Sequence, residues 1–176
     1  MIIKPYYLIF HGISPFFSFE ATIRKKEMKA EYNNLYVHYV LTVKEREPLI
    51  DAMHRKRIEK YITGIIRRYK CRLYSIYANP EHIHILVSKS PEISDNELIS
   101  RVASSTEEFI NREKLLKRPF KWQETFSAFS VSKRDVNRVC QYIQNQPVHH
   151  KLNSYASERI RFEEFYQKTI APMLEK

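Results

Sequence analysis

The sequence predicts an α+β fold of the ferredoxin-like or RRM-like kind, an antiparallel sheet with helices packed mainly on one face. Two observations carry this. Short runs of aromatic and β-branched residues alternate with longer runs of helical periodicity, and they follow in the order strand, helix, strand, strand, helix, strand, helix. A hydrophobic fraction of 43% and an aromatic fraction of 13% over 176 residues supply enough side chains for one such core.

Leu35 to Val43 (LYVHYVLTV) is rich in strand-forming residues and is the first strand. After Pro48, Leu49 to Tyr69 reads as a helix, because Ile58, Tyr61, Ile62, Ile65 and Ile66 recur at helical spacing. Arg55, Lys56, Arg57, Lys60, Arg67 and Arg68 take its other faces. Arg72 to Ala78 and His82 to Ser88 are strands joined by Asn79-Pro80-Glu81, a turn of hairpin length. Ser94 or Asp95 caps a helix running to about Asn111, with Glu97 in its first turn. Beyond Pro119, Phe126 to Ser132 alternates with a period of two, as a strand does, and a helix follows from about Lys133 to Gln146.

Residues 1–27 lack clean periodicity and read as an extension, 28–152 as the domain, and 153–176 as a helical segment. The last contains an amphipathic helix from Ser157 to Ile170, with Ile160, Phe162, Phe165 and Tyr166 as its packing residues.

Thirty Lys and Arg against twenty Asp and Glu leave a net charge of +10, which suits a polyanionic partner. A generic basic surface is the alternative. With only Gly12 and Gly64, neither a phosphate-cradling loop nor a dinucleotide fingerprint is available. Cys71 and Cys140 form no C-x-x-C pair and read as reduced packing residues of a cytoplasmic protein, and no apolar run is long enough to span a membrane.

Two short patterns carry chemistry. In His82-Ile83-His84 the imidazoles stand two apart on a strand and so share a face, where they can grip one divalent cation. A pair of strand histidines without a ligand is the plainer alternative. Tyr142 and Gln146 stand four apart and share a helical face. A phenol, with an ordinary pKa near 10, is a poor nucleophile unless its target is polarised. Either pattern alone is weak.

Together they resemble a known family. From Tyr32 to about Lys151 the chain is similar to the single-tyrosine transposases of the IS200/IS605 type, members of the HUH nuclease superfamily. The matching stretches are Val37-His38-Tyr39-Val40 with Thr42 to Pro48, then Asn79 to Val87, Phe120 to Glu124, Ala128 to Ser132, and Tyr142 to Gln146 with His149-His150. The resemblance implies that His82 and His84 are metal ligands and Gln146 a third, that Mg²⁺ or Mn²⁺ is the metal, and that Tyr142 is the nucleophile forming a 5′-phosphotyrosine link. It implies cleavage and rejoining of single-stranded DNA at hairpin-marked ends, and a homodimer in which the tyrosine of one subunit can serve the histidines of the other. The family tends to carry glycine after the stretch matching Trp122-Gln123, where Thr125 and Ser127 stand here. Pro147 withdraws a helical N–H and ends or kinks the helix bearing Gln146.

Lys44, Arg46, Lys121, Trp122, Lys133 and Arg134 are candidate DNA contacts, basic groups beside an aromatic platform, and Asn145 and His149 join them. Trp122 in the core is the alternative for that residue. Three rival readings stay open. A binding module of this fold would carry an RNA-binding strand signature, which is absent. A metal-dependent hydrolase would recruit more carboxylates, whereas Glu81, as the neighbour of His82, is expected on the opposite strand face. The third is an inactive or domesticated relative that binds single-stranded nucleic acid.

Overall fold

Antiparallel pairing organises the chain. The computed structural model describes residues 29–147 and Ile160; the expected extension at 1–27, His149, and the helix at Ser157 to Ile170 apart from Ile160 lie outside them. The expected element order is met: β1 (Tyr36–Val43), α1 (Ala52–Arg68), β2 (Arg72–Ala78), β3 (His82–Ser88), α2 (Asp95–Arg112), β4 (Trp122–Val131) and α3 (Val136–Gln144). The sheet order is β2-β3-β1-β4, with each neighbouring pair antiparallel, which is the ferredoxin-like arrangement.

The sheet separates two layers. On one face α1 and α2 form the main core: Ile58, Ile62 and Ile66 of α1 and Leu98, Val102 and Ile110 of α2 pack against Tyr39, Leu41, Ile83, Ile85 and Val87. Each such aliphatic side chain stabilises the fold by about 1.5–3 kcal/mol when fully buried. On the other face, among the described residues, α3 packs with Val136 and Ile143 against Tyr36 and Leu86, flanked by Tyr74 and Tyr77. Two helices therefore share a face, as expected, and the third covers the opposite one.

Element boundaries follow local chemistry. Helix α1 starts at Ala52 rather than Leu49 because the Asp51 carboxylate accepts the His54 backbone N–H at 2.8 Å, a cap two residues beyond the expected start. Ser94 caps α2 as expected, accepting the Glu97 N–H at 3.1 Å. Strand β4 begins four residues early, at Trp122, which pairs with Val43 across an irregularity near Leu41. The segment after Ser132 opens as a short 3₁₀ turn, Lys133–Asp135, before α3 proper.

Candidate active site

Strand alternation builds the site. Along β3, Ile83, Ile85 and Val87 enter the main core, so His82, His84 and Leu86 face α3. All three are buried, the two histidines to 1% exposure or less. Strand β1 supplies a third imidazole: His38, paired in register with Leu86, stacks on His84 with ring centroids 5.1 Å apart.

These groups form one chain of polar contacts. Nε2 of His38 lies 3.0 Å from Nδ1 of His84, and Nε2 of His84 lies 2.9 Å from Nε2 of His82. The Asn79 amide donates to His82 Nε2 at 2.9 Å and to Gln146 Oε1 at 3.0 Å. Burial pushes the His38 imidazole down to about 3, so that ring is neutral at any ordinary pH. Glu81 stands just outside the strand, and its Oε1 lies 3.7 Å from His82 Nδ1. The expectation that it points to the opposite face is therefore wrong, because strand alternation does not extend into the turn that holds it.

Helix α3 brings the phenol and the amide. The Tyr142 ring stands edge-on to His84, 5.7 Å between centroids and 87° between planes, and edge-on to His38 at 6.4 Å and 72°. Tyr142 is half-buried and Gln146 fully buried. The helix ends at Gln144 with Asn145 as its cap, two residues short of the expected end, and Pro147 forbids the N–H that would continue the ladder. Gln146 follows the break at Asn145, where the backbone is helical again, and reaches Asn79. Tyr142, His82, His84 and Gln146 are together within one chain.

The donor set fits a divalent cation. Two ligands at right angles on an octahedral ion, at about 2.1 Å each, stand about 3.0 Å apart. The spacing between His82 Nε2 and His84 Nε2 matches that edge at 2.9 Å, and the Asn79 amide, itself only a donor, sits between His82 Nε2 and Gln146 Oε1. Among the described residues no group of three or more His, Cys, Asp or Glu side chains is arranged to hold a metal ion. His38 turns its nitrogen to His84 Nδ1 instead, so the available donors are two imidazoles and an amide oxygen.

Comparison with known proteins follows the same line. The family model described as "Transposase IS200 like" matches residues 31–146, about two thirds of the chain. The chain belongs to the IS200-like transposase family. A search of curated proteins finds no match. Among solved structures, a candidate transposase from Deinococcus radiodurans R1 is similar in fold, with a TM-score of 0.52 and 18% identity over 68% of this chain and 97% of that one. A REP-associated tyrosine transposase bound to a REP hairpin aligns with a TM-score of 0.49 and 14% identity, over 70% of this chain and 74% of that one.

In this IS200-like transposase the six basic and aromatic candidates do not form one patch. Lys44, Arg46 and Lys121 are exposed at the end of the sheet where His82 begins, joined by a hydrogen bond from the Lys44 N–H to the Lys121 carbonyl at 2.9 Å. Glu45 and Arg46 both adopt positive φ, 56°, which turns the chain sharply after β1. Lys133 and Arg134 are exposed at the opposite end of β4, beyond Val131, separated from the first group by the length of that strand. Asn145 is exposed on the turn beside Gln146. Trp122 is a correction: it is buried to 6% exposure in the main core, edge-on to Phe120 at 4.7 Å, on the face away from the histidines. Its large apolar ring gains more from the core than from solvent, so it is no stacking platform.

Sequence reasoning missed His38, Asn79 and the placement of Glu81. Each carried a faint signal: His38 shares strand parity with Tyr36, and Asn79 opens the turn before His82. Neither signal identifies the partner across the sheet. No described helix is long and apolar enough to cross a membrane.

Proposed function

We propose that the chain cleaves and rejoins single-stranded DNA at hairpin-marked transposon ends through a phosphotyrosine intermediate on Tyr142. The observation that carries this is the Tyr142 ring set edge-on against His84, with Gln146 of the same segment reaching the His82 side through Asn79. His82, His84 and Gln146 would hold Mg²⁺ or Mn²⁺, which when bound supplies Lewis acidity to the scissile phosphate.

The protein's own part is positional. Helix α3 presents the Tyr142 oxygen to the phosphorus; a bond forms between them while the bond to the 3′ oxygen breaks, and the phenol proton ends on the released 3′-hydroxyl. Attack by another 3′-hydroxyl reverses the exchange and rejoins the strand. Each step conserves one phosphodiester, which is consistent with a chain that has no glycine-rich nucleotide loop. Lys44, Arg46 and Lys121 would neutralise DNA phosphates at the His82 end, with Asn145 beside the site. Tyr142 lies beside the histidines of its own subunit, so a homodimer of this kind needs no exchange of α3 to assemble each site.

The test is incubation with single-stranded hairpin DNA and Mg²⁺, followed by denaturing electrophoresis. A covalent protein–DNA adduct is expected from the wild type, none from Tyr142→Phe or with chelator. Cleavage without an adduct, undiminished in Tyr142→Phe, would mean a hydrolase.

A further inference from the structure

We propose that His38 is a positioning residue, the hydrogen-bond acceptor that turns the lone pair of His84 Nε2 toward the cation. The inference rests on the reading above, that His82 and His84 hold a divalent ion, and concerns a residue outside that ligand set.

Each nitrogen of His84 has an imidazole nitrogen within hydrogen-bond distance. Nδ1 faces His38 Nε2 at 3.0 Å, and Nε2 faces His82 Nε2 at 2.9 Å. A neutral imidazole carries one proton, so the two contacts cannot be set independently. Without a cation, a proton between the two Nε2 atoms holds His82 and His84 together, and His38 must then donate to Nδ1. When Nε2 of His84 gives its lone pair to a cation, its proton moves to Nδ1, and His38 Nε2 must accept it. An imidazole can serve both states by exchanging tautomers, with no change in charge. A carboxylate could only accept, and a lysine could only donate. His38 is buried to 1% exposure, and its Nε2 stands within hydrogen-bond distance of His84 Nδ1, where an acceptor is required. Its ring is fixed by stacking on His84 and by Phe129 at 6.0 Å between centroids. An outer hydrogen bond of this kind typically changes metal affinity by about 10–100-fold when removed.

The experiment uses the full-length chain and Mn²⁺ as probe. Mn²⁺ dissociation constants are measured by titration calorimetry for the wild type, His38→Phe and His38→Gln, with thermal unfolding of each in chelator. His38→Phe keeps a flat ring but has no acceptor, and is expected to bind Mn²⁺ about tenfold or more weakly. His38→Gln, whose amide can turn either its oxygen or its nitrogen to Nδ1, is expected to stay within about threefold of wild type. Equal affinity in His38→Phe, or a loss in His38→Gln as large as in His38→Phe, overturns the proposal. A wild type that binds no Mn²⁺ overturns the metal reading beneath it and the role of His38 with it. Should His38→Phe fail to fold, nitrogen NMR of the Mg²⁺-saturated wild type decides instead. A His38 proton on Nδ1 is expected, and one on Nε2 overturns the proposal.

Discussion

Asn79 donates through one amide nitrogen to His82 Nε2 at 2.9 Å and to Gln146 Oε1 at 3.0 Å, tying the β2–β3 turn to the segment that follows α3. The amide N–H₂ thus lies between two acceptors at a point where a cation would also be welcome. In Asn79→Asp a carboxylate faces those acceptors with nothing to donate. The metal-free variant is expected to lose about 1–3 kcal/mol of stability. With Mn²⁺ the sign reverses, because an anionic oxygen beside two neutral donors attracts the ion. The Mn²⁺-induced rise in melting temperature should therefore exceed that of the wild type. A rise no larger than the wild type's would place the cation away from these three side chains.

Glu59 is a second buried anchor near the same turn. One carboxylate oxygen accepts the Ala78 backbone N–H at 3.0 Å and pairs with Arg55 at 3.3 Å, and the other meets Lys56 at 3.2 Å. Ala78 precedes Asn79, so this contact fixes where the turn leaves β2. Glu59→Ala leaves the buried N–H without that acceptor, and a loss of about 1–3 kcal/mol is expected in urea unfolding. Glu59→Gln retains an acceptor oxygen and should recover most of it. Equal losses in the two variants would assign the effect to charge rather than to the backbone contact.

What the sequence disclosed depended on how one-sided each signal was. The isoleucine stripe of α1 and the alternation of β3 are both set by burial, and both could be read, including the shared face of His82 and His84. The convergence of Tyr142 with those histidines was an expectation from family resemblance alone; the Tyr142 and His84 ring centroids lie 5.7 Å apart. Strand β4 lies at the sheet edge, where Gln123, Glu124 and Thr125 are exposed, so its first half showed no apolar alternation. The pairing of His38 with His84 depends on the β1–β3 register, a long-range property that no local pattern encodes. Glu81 lies one residue outside β3, where strand alternation no longer sets which way a side chain points.

The burial of Trp122 makes the chain its own reporter. It is the single tryptophan, and it packs on the α1 and α2 side while the candidate site faces α3. Its emission should be blue-shifted in the native state, should shift to the red on unfolding, and should not be quenched by single-stranded DNA. Trp122→Phe is expected to lower stability without changing DNA affinity in a gel-shift titration. Strong quenching by DNA would return Trp122 to the binding surface.

Acid stability has an identifiable contributor. At the start of α2, burial raises the Asp95 pKa, but hydrogen bonds from Tyr39 and Lys89 and the Lys89 charge outweigh it and hold the carboxyl below its ordinary 3.8. Because the folded value is the lower one, the contribution is present above about pH 3.8 and is lost as pH falls through the folded value. Urea midpoints followed through that range should fall more steeply for the wild type than for Asp95→Asn. Parallel curves would remove Asp95 from the account.

If His82, His84 and Gln146 hold the ion, as proposed, two imidazole nitrogens and one amide oxygen also set which ion should win. Mg²⁺ prefers oxygen ligands and gives up its water reluctantly, whereas affinity for nitrogen-containing sites rises from Mn²⁺ to Co²⁺ along the transition series. Because all three donors are neutral, the bound ion keeps its full charge for phosphate oxygens, and the preference among ions is left to the nitrogens. The expected order is Co²⁺ above Mn²⁺ above Mg²⁺, with Mn²⁺ ahead of Mg²⁺ by about tenfold, or 1.4 kcal/mol. Competition titrations on the wild type and His84→Ala check both halves of the argument, since losing one imidazole should narrow the gap as well as weaken binding. If Mg²⁺ and Mn²⁺ bind the wild type equally, and His84→Ala leaves both unchanged, the ion is held by oxygens elsewhere and the histidine pair is structural.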